Sequence, residues 1–420
     1  MPVCRLRYTP RAVPRSRMRI DLRNPRLKAL LLVVVLAPLA FLLPVRRNAG
    51  APQQIHLSWE GPSSDLVTVL WATETSSPGS RVRFGSSPAL ESGSVDALAI
   101  PRPESSRQYL HRAVLGPLLA GTTYFYQVGE NATGWSSLHQ LTSAPLPGAG
   151  LTFVAAADMG QGTAAAANAE RMAEARPAFA LHLGDLSYAE GDAEDWDTWF
   201  REIEPVASLA PYMTAIGNHE YEPGSGLSAY LERLALPNNE RYYSFDCGLL
   251  HVVVLDSGAS YAAPSTAMTE WLEADLTRSA RDPERPWIVV GFHFPPYTSG
   301  EYGGWEEGRA AWSPLFDRHG VALVLSGHVH AYERSWPVDS KGVVARRDYQ
   351  DPGAPVYVVT GGAGRHGRLH QFPGPAPDWS AFRVVAQHTL RVTVDRTRMS
   401  VMAIRPNGEV LDSFAITRGR

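Results

Sequence analysis

From residue 151 onward the chain repeats one pattern: a short apolar run that ends in a polar residue, often directly behind a glycine. LTFVAAAD, AFALHLGD, PYMTAIGN, PWIVVGFH and VALVLSGH all show it. Between them, TAAAANAERMAEAR, DWDTWFREIEPVA, AMTEWLEADLTRS and RAAWSPLFDRHG carry apolar residues at helical spacing. Strands alternating with helices predict an α/β unit whose buried strands deliver their last residues to one rim of a sheet. Ligand sites of open α/β sheets gather at that carboxyl rim. YYSFDCG, LLHVVVLD and VYVVTGG add strands, and the tail from QHTLRVTVD onward reads as closing β-hairpins.

Residues 52–145 have no helical period. IHLSWE, LVTVLWAT, SRVRFGS, HRAVLGPL and TTYFYQVG alternate apolar and polar residues between Ser, Gly and Pro turns, which predicts a small antiparallel β-sandwich. LLAGTTYFYQV, a turn feeding a strand with Tyr124 and Tyr126 on one face, is similar to fibronectin type III domains. This stretch holds no cluster of metal-binding side chains, so it reads as a spacer or docking module, with SAPLPGAG at 143–150 as the linker.

The first fifty residues stand apart. Residues 1–28 hold eight arginines and one lysine ahead of the apolar run ALLLVVVLAPLAFLLPV at 29–45. That charge bias puts the amino terminus in the cytoplasm and exports the rest of the chain. The run is slightly shorter than the roughly 20 residues that comfortably span a bilayer. Arg46 and Arg47 directly after it disfavour cleavage. A membrane anchor with the catalytic half outside the cytoplasm is the preferred reading, and a cleaved leader on a secreted or periplasmic protein is the alternative. Across 420 residues, 44% apolar and 19% charged with a net charge of −3, the composition excludes wholesale disorder and an overall nucleic-acid-binding surface.

Five motifs fall at strand ends: Asp158-Met159-Gly160, Gly184-Asp185-Leu186-Ser187-Tyr188, Gly217-Asn218-His219-Glu220, Val290-Gly291-Phe292-His293 and Gly327-His328-Val329-His330. Alone, an Asp after a strand is usually a helix cap and a His-x-His is often surface. Together they bring carboxylate, phenol, amide and imidazole groups to one rim, which is a metal-ligand inventory. Dinuclear hydrolases hold their ions roughly 3.5–4 Å apart, and a carboxylate can bridge them. Asp185, in a tight Gly-Asp turn between the other ligand loops, is the natural bridge. Asp158, Tyr188 and one histidine of the His328/His330 pair then complete one site, and Asn218, His293 and the other histidine complete the second. The anionic first set suits a hard trivalent ion, and the neutral second set a divalent ion such as Zn²⁺, Mn²⁺ or Fe²⁺.

The set DxG, GDxxY, GNH(D/E), VxxH and GHxH resembles that of the purple acid phosphatases, within the calcineurin-like metallophosphoesterases. In the wider superfamily a histidine stands two residues after the first Asp. Here Gly160 stands there, and the tyrosine of GDLSY marks the purple acid branch. The resemblance runs from the β-sandwich, which is similar to that family's N-terminal domain, to about residue 415. It implies a four-layer αββα sandwich over 151–420, preceded by the all-β sandwich. It implies Fe(III) bound by Asp158, Asp185, Tyr188 and His330, and a divalent ion bound by Asp185, Asn218, His293 and His328. The implied activity is an exported acid phosphatase that hydrolyses small phosphomonoesters through metal-activated hydroxide. His219 is the candidate for stabilising developing charge or protonating the leaving group, with Glu220 orienting it.

Plant-type members carry a histidine pair shortly after VxxH, whereas FPPYTSGEYGGWEEG at 294–308 has none. Protonation then rests more on His219, with Tyr297 or Tyr302 as candidate helpers. The loop GGAGRHGR at 361–368 resembles a family loop near the pocket, so Arg365 and His366 are candidate substrate contacts, against a reading as solvated charge. His182, His251 and His319 read as structural. A phosphodiesterase or nucleotidase on the same centre is the second enzymatic reading. The intact ligand set argues against a non-enzymatic adhesion protein.

Overall fold

The computed structural model describes residues 51–61, 65–100, 106–223, 226–344, 346–365 and 368–419. The basic leader, its apolar run and His366 lie outside the described residues, among which no helix is long and apolar enough to cross a membrane.

Residues 53–142 fold into two antiparallel sheets. One joins β1 (Gln53–Ser58), β2 (Val67–Thr73), β5 (Leu98–Ala99) and β6 (Tyr109–Leu115). The other joins β3 (Arg81–Gly85), β4 (Gly93–Asp96), β7 (Thr123–Glu130), β8 (Gly134–Trp135) and β9 (His139–Thr142). The alternation in β7 works as a period-two signal should: Tyr124, Tyr126 and Val128 are buried on one face. The short strands β4, β5, β8 and β9 carry too few residues to show a period.

Two further sheets stack face to face. The six-stranded sheet has parallel β10 (Leu151–Ala156), β11 (Ala180–Leu183) and β12 (Tyr212–Ala215), then β20 (Thr389–Val394), β21 (Arg398–Ile404) and β22 (Val410–Thr417) as antiparallel hairpins beside β10. The seven-stranded sheet runs β13 (Tyr243–Cys247), β14 (Leu250–Val254), β15 (Trp287–Gly291), β16 (Leu323–Ser326), β18 (Val356–Thr360), β17 (Tyr332–Ser335) and β19 (Ser380–Val384). Helices α1 (Thr163–Glu174) and α2 (Ala193–Ala207) pack on each other, and α1 also packs on β20. On the other side α4 (Thr266–Ser279) packs on α5 (Glu306–His319), and α3 (Ser228–Arg233) is a short turn of helix. The architecture is a four-layer αββα sandwich preceded by an all-β domain.

The continuous apolar runs follow from burial on both faces of the seven-stranded sheet. Val252, Val254, Val289, Leu323, Leu325, Val356 and Val358 face the central core between the sheets. Their neighbours Val253, Ile288, Val290, Val324 and Tyr357 face the outer core under α4 and α5, with Leu272, Trp312 and Phe316. Ser265 caps α4 by accepting from the Met268 N–H at 3.3 Å. Gly320 ends α5 with a left-handed φ of 69°.

The segment 143–150 is anchored at its ends, while Leu146 between them is exposed. Ser143 and Ala144 are buried, and the Gly148 N–H donates to Gly248 O at 3.2 Å. The sandwich joins the central core: Trp59 lies against Phe179 and Phe245, with centroids 6.0 and 5.4 Å away. Tyr126 donates its hydroxyl to Ser208 O at 2.6 Å, at the end of α2. The alternation of a sandwich strand looks the same whether its far side meets water or another domain, so a reading as spacer or docking module could not place this contact.

Candidate metal centre

The motif residues sit just past the carboxyl ends of β10, β11, β12, β15 and β16, where parallel neighbours bring them to one rim. Four of them hold left-handed backbone: Asp158 (φ 57°), Asp185 (53°), Tyr188 (53°) and His328 (67°). Non-glycine residues in this region cost on the order of 1–3 kcal/mol each and persist where surrounding structure enforces them, commonly at functional sites. The turns leave no spare room. A Cβ on Gly217 would come 2.2 Å from Asp185 Oδ1. A Cβ on Gly160, with φ +58°, would press at 3.3 Å on the Tyr188 ring, so the glycine of DxG makes space for the tyrosine of GDLSY.

The donors form two groups. In the first, Tyr188 donates its hydroxyl to Asp158 Oδ1 at 3.0 Å, and His330 Nε2 stands 3.1 Å from that hydroxyl and 3.3 Å from the carboxylate. In the second, His293 Nε2 stands 3.1 Å from Asn218 Oδ1, 3.3 Å from Asp185 Oδ2 and 3.2 Å from His328 Nδ1. Asp185, His293 and His328 can together hold one ion. Asp158 also accepts the His328 N–H at 2.8 Å, and Asp185 accepts the His219 N–H at 3.0 Å, so backbone of other ligand loops fixes both carboxylates.

These residues fit metal ions on their own hydrogen bonding. His293 Nδ1 donates to Leu183 O at 2.9 Å and His330 Nδ1 to Arg368 O at 3.0 Å. A carbonyl can only accept, so each Nδ1 carries a hydrogen and each Nε2 is the nitrogen turned to the centre, as in carbonyl-oriented metal histidines. Both Nε2 atoms are turned onto carboxylate, amide or phenol oxygens, and against burial the Asp185 charge raises His293 to about 9, so positive charge, a proton or a metal ion, is favoured at that nitrogen. Burial, then the His293 charge, pulls His328 down to about 2, which keeps it neutral and ready to ligate. Burial, then the charge of Asp158, holds the Tyr188 phenol well above its usual range, so ionisation there needs a cation bonded to the oxygen.

Around the donors, the structure redistributes the expected roles. His219 is half-buried, and its Nδ1 is bonded to Glu190. Glu220 is not its orienting partner. That carboxylate is buried and accepts three backbone N–H groups, from Asp185 (2.8 Å), Leu186 (2.8 Å) and Gly217 (2.7 Å), tying two ligand turns together. Burial, then the Asp185 charge, pushes Glu220 up to about 8, against the N–H groups that favour its ionised form. Arg365 lies flat over the Tyr188 ring at 3.6 Å, with Nη1 3.4 Å from His219 Nε2, so it borders the centre rather than open solvent. Tyr302 borders it too, its ring against His328 and His370. Tyr297 does not: its hydroxyl donates to Asp339 O at 2.7 Å and its ring packs on Tyr357 and Trp379 in the outer core.

Sequence reasoning missed Glu190 and His370. His370 stacks on His330 at 4.0 Å, and its Nδ1 accepts the His330 N–H at 3.0 Å. Glu190 is the first acid after the GDLSY tyrosine, and that nearness to a ligand was the signal that could have found it. His370 lies in a loop without period or motif.

The sequence matches the calcineurin-like phosphoesterase family over residues 151–332. It matches the purple acid phosphatase N-terminal domain over 52–143 and the iron/zinc purple acid phosphatase-like C-terminal family over 354–413. It is 32% identical to purple acid phosphatase 18 of Arabidopsis thaliana, covering 80% of this chain and 77% of that protein. It is 29% identical to the human (Homo sapiens) acid phosphatase type 7, over 90% and 95% of the two chains. A solved purple acid phosphatase from yellow lupin (Lupinus luteus) seeds superposes with a TM-score of 0.78 at 25% identity, covering 88% of this chain and 75% of that one. Fold and relatives together define a metal-dependent phosphoester hydrolase. Within that class, the chain belongs to the purple acid phosphatase family.

Proposed function

We propose that the chain is an exported acid phosphatase that hydrolyses phosphomonoesters at a dinuclear centre of Fe(III) and one divalent ion (Zn, Mn or Fe(II)). The observation that carries this reading is the pair of buried donor groups in which carbonyl-oriented imidazoles turn Nε2 onto carboxylate, amide and phenol oxygens. Asp158, Tyr188 and His330 would hold the ferric ion, Asn218, His293 and His328 the divalent ion, with Asp185 common to both. When bound, the ions supply Lewis acidity toward water and the phosphoryl oxygens.

The chain's own groups divide the remaining work. Glu190 holds Nδ1 of His219 and so fixes the ring, and Nε2, 3.4 Å from Arg365 Nη1, would serve the leaving oxygen as an acid once a proton there replaces the Arg365 contact. Arg365, held flat on Tyr188, can offer N–H groups to phosphoryl oxygens. Tyr302 supplies part of the wall above His328. Export rests on the basic leader and apolar run at the amino terminus.

Metal analysis of the purified exported portion, with matched monoester and diester assays, tests the proposal. The expected result is one iron and one divalent ion per chain with monoester turnover dominant. A single bound ion, or a clear preference for diesters, overturns it.

A further inference from the structure

Tyr261 stands in the loop that follows β14 at the carboxyl rim, and nothing in the chemistry above uses it. Its ring stacks on Phe294 with centroids 4.5 Å apart and meets His328 edge-on at 5.5 Å. Phe294 is itself held in place. Its N–H donates to Ser257 Oγ at 3.2 Å, and its ring meets His328 edge-on at 4.7 Å. Tyr302 adds a ring 5.0 Å from His328. The candidate divalent ligand is thus flanked by three aromatic side chains, two of which carry hydroxyls.

The two hydroxyls differ. Tyr302 Oη lies 3.5 Å from Nε2 of His370, whose Nδ1 accepts the His330 N–H. Tyr261 Oη is buried, and among the described residues no group donates to it or accepts from it. A buried hydroxyl usually finds a partner inside the fold, because leaving it unpaired costs stability. Two observations turn this one toward the metal centre. The surface cleft lined by Ser260 and Ala262 does not include Tyr261 between them. Burial, then the Tyr302 phenol and the Asp158 carboxylate of the first donor group, hold the Tyr261 phenol above its usual range. It is therefore a neutral donor, fixed by its stack, whose hydrogen is uncommitted.

We propose that Tyr261 is a substrate-binding residue whose hydroxyl donates to a non-bridging phosphoryl oxygen on the divalent side of the centre. The proposal rests on the phosphatase reading above. No bond is made or broken at Tyr261, and its proton stays on the phenol. A donor whose orientation is already set loses little freedom on binding, and its hydrogen bond strengthens as charge gathers on the oxygen.

The test compares the metal-loaded wild type with Tyr261→Phe, which removes the hydroxyl and keeps the stack. The variant should lose about 10-fold or more in kcat/KM for phenyl phosphate, the order of one lost donor. Its Kd for inorganic phosphate, read by calorimetry, should weaken by about 5-fold or more with metal content unchanged. Its Tm should hold or rise, because the hydroxyl it lacks has no partner in the fold. A lower Tm with phosphate affinity intact would make the hydroxyl a structural bond and overturn the proposal. Metal loss would overturn it as well, by making Tyr261 a brace for His328. Turnover and phosphate affinity both within about 2-fold of wild type would leave no donor role. A wild type that neither binds phosphate nor hydrolyses phenyl phosphate would sink the phosphatase reading, and the donor role with it.

Discussion

The two ends of the seven-stranded sheet both bury histidine beside carboxylate, and they surround it with different partners. At the amino end of β14, His251 is bonded on both nitrogens, Nδ1 to Asp246 and Nε2 to Asp275, each at 2.7 Å. At the carboxyl end of β15, His293 gives Nδ1–H to a carbonyl and turns Nε2 onto a carboxylate, an amide oxygen and a second imidazole. Both rings are buried. Burial alone does not distinguish a structural imidazole from a metal ligand. The distinction lies in what the second nitrogen meets: one carboxylate at His251, but at His293 a carboxylate, an amide oxygen and a second imidazole that together can hold one ion.

The comparison can be broken most directly by removing metal. Chelation that strips both ions should abolish turnover, and refilling with iron and a divalent ion should restore it. Full activity in stripped protein would mean that these donor groups are not the site. His219→Ala comes next. It should lower kcat by about 10²–10⁴-fold with both metals retained, more for alkyl phosphates than for nitrophenyl esters, whose leaving groups hardly need a proton. Equal losses on both esters would remove the acid role. Metal loss from the variant would make His219 a ligand.

Tyr188→Phe should bind iron yet lose the visible charge-transfer band of a phenolate on Fe(III), because its hydroxyl supplies the phenol oxygen of the first donor group. An unchanged absorption spectrum in the iron-loaded variant would refute that ligand assignment.

The smallest effect belongs to the saturated end. Burial pulls His251 down, but Asp246 and Asp275 together outweigh it and push it up to about 9. A folded pKa raised above the unfolded 6.5 gives stability that is complete below pH 6.5 and lost as pH rises through about 9. The shift corresponds to about 3 kcal/mol. Urea unfolding at pH 6 and pH 10 should show a decline of that order, and His251→Ala should flatten the pH dependence while the folded enzyme still turns over. A wild-type stability indifferent to alkaline pH would show that the two carboxylates do not hold His251 as an imidazolium.

Much of the centre was legible because its ligands end strands, and strand ends are announced by apolar runs that stop at Gly-Asp, Gly-Asn or Gly-His. Of the residues that reach the centre from loops, Arg365 and Tyr302 were legible, while Glu190 and His370 were not. Glu190 and Glu220 lie on either side of the same histidine, and their order in sequence favours the wrong one. The backbone of Asn218–Glu220 turns the Glu220 side chain inward, under the N–H groups of Asp185 and Gly217. His370 arrives from a stretch with no period, and only the folded chain brings it against His330. The same limit hid Tyr297, whose place near VxxH suggested the mouth of the site while its ring belongs to the outer core.

The indole of Trp59 has a consequence for how such a protein can be inherited. With its neighbours Phe179 and Phe245 it forms a seam shared by both halves of the chain. A gene fragment beginning near residue 151 would encode every candidate ligand and still leave that apolar seam open to solvent. Recombination that exchanged the amino-terminal half for a stranger's would have to re-match the aromatic fit.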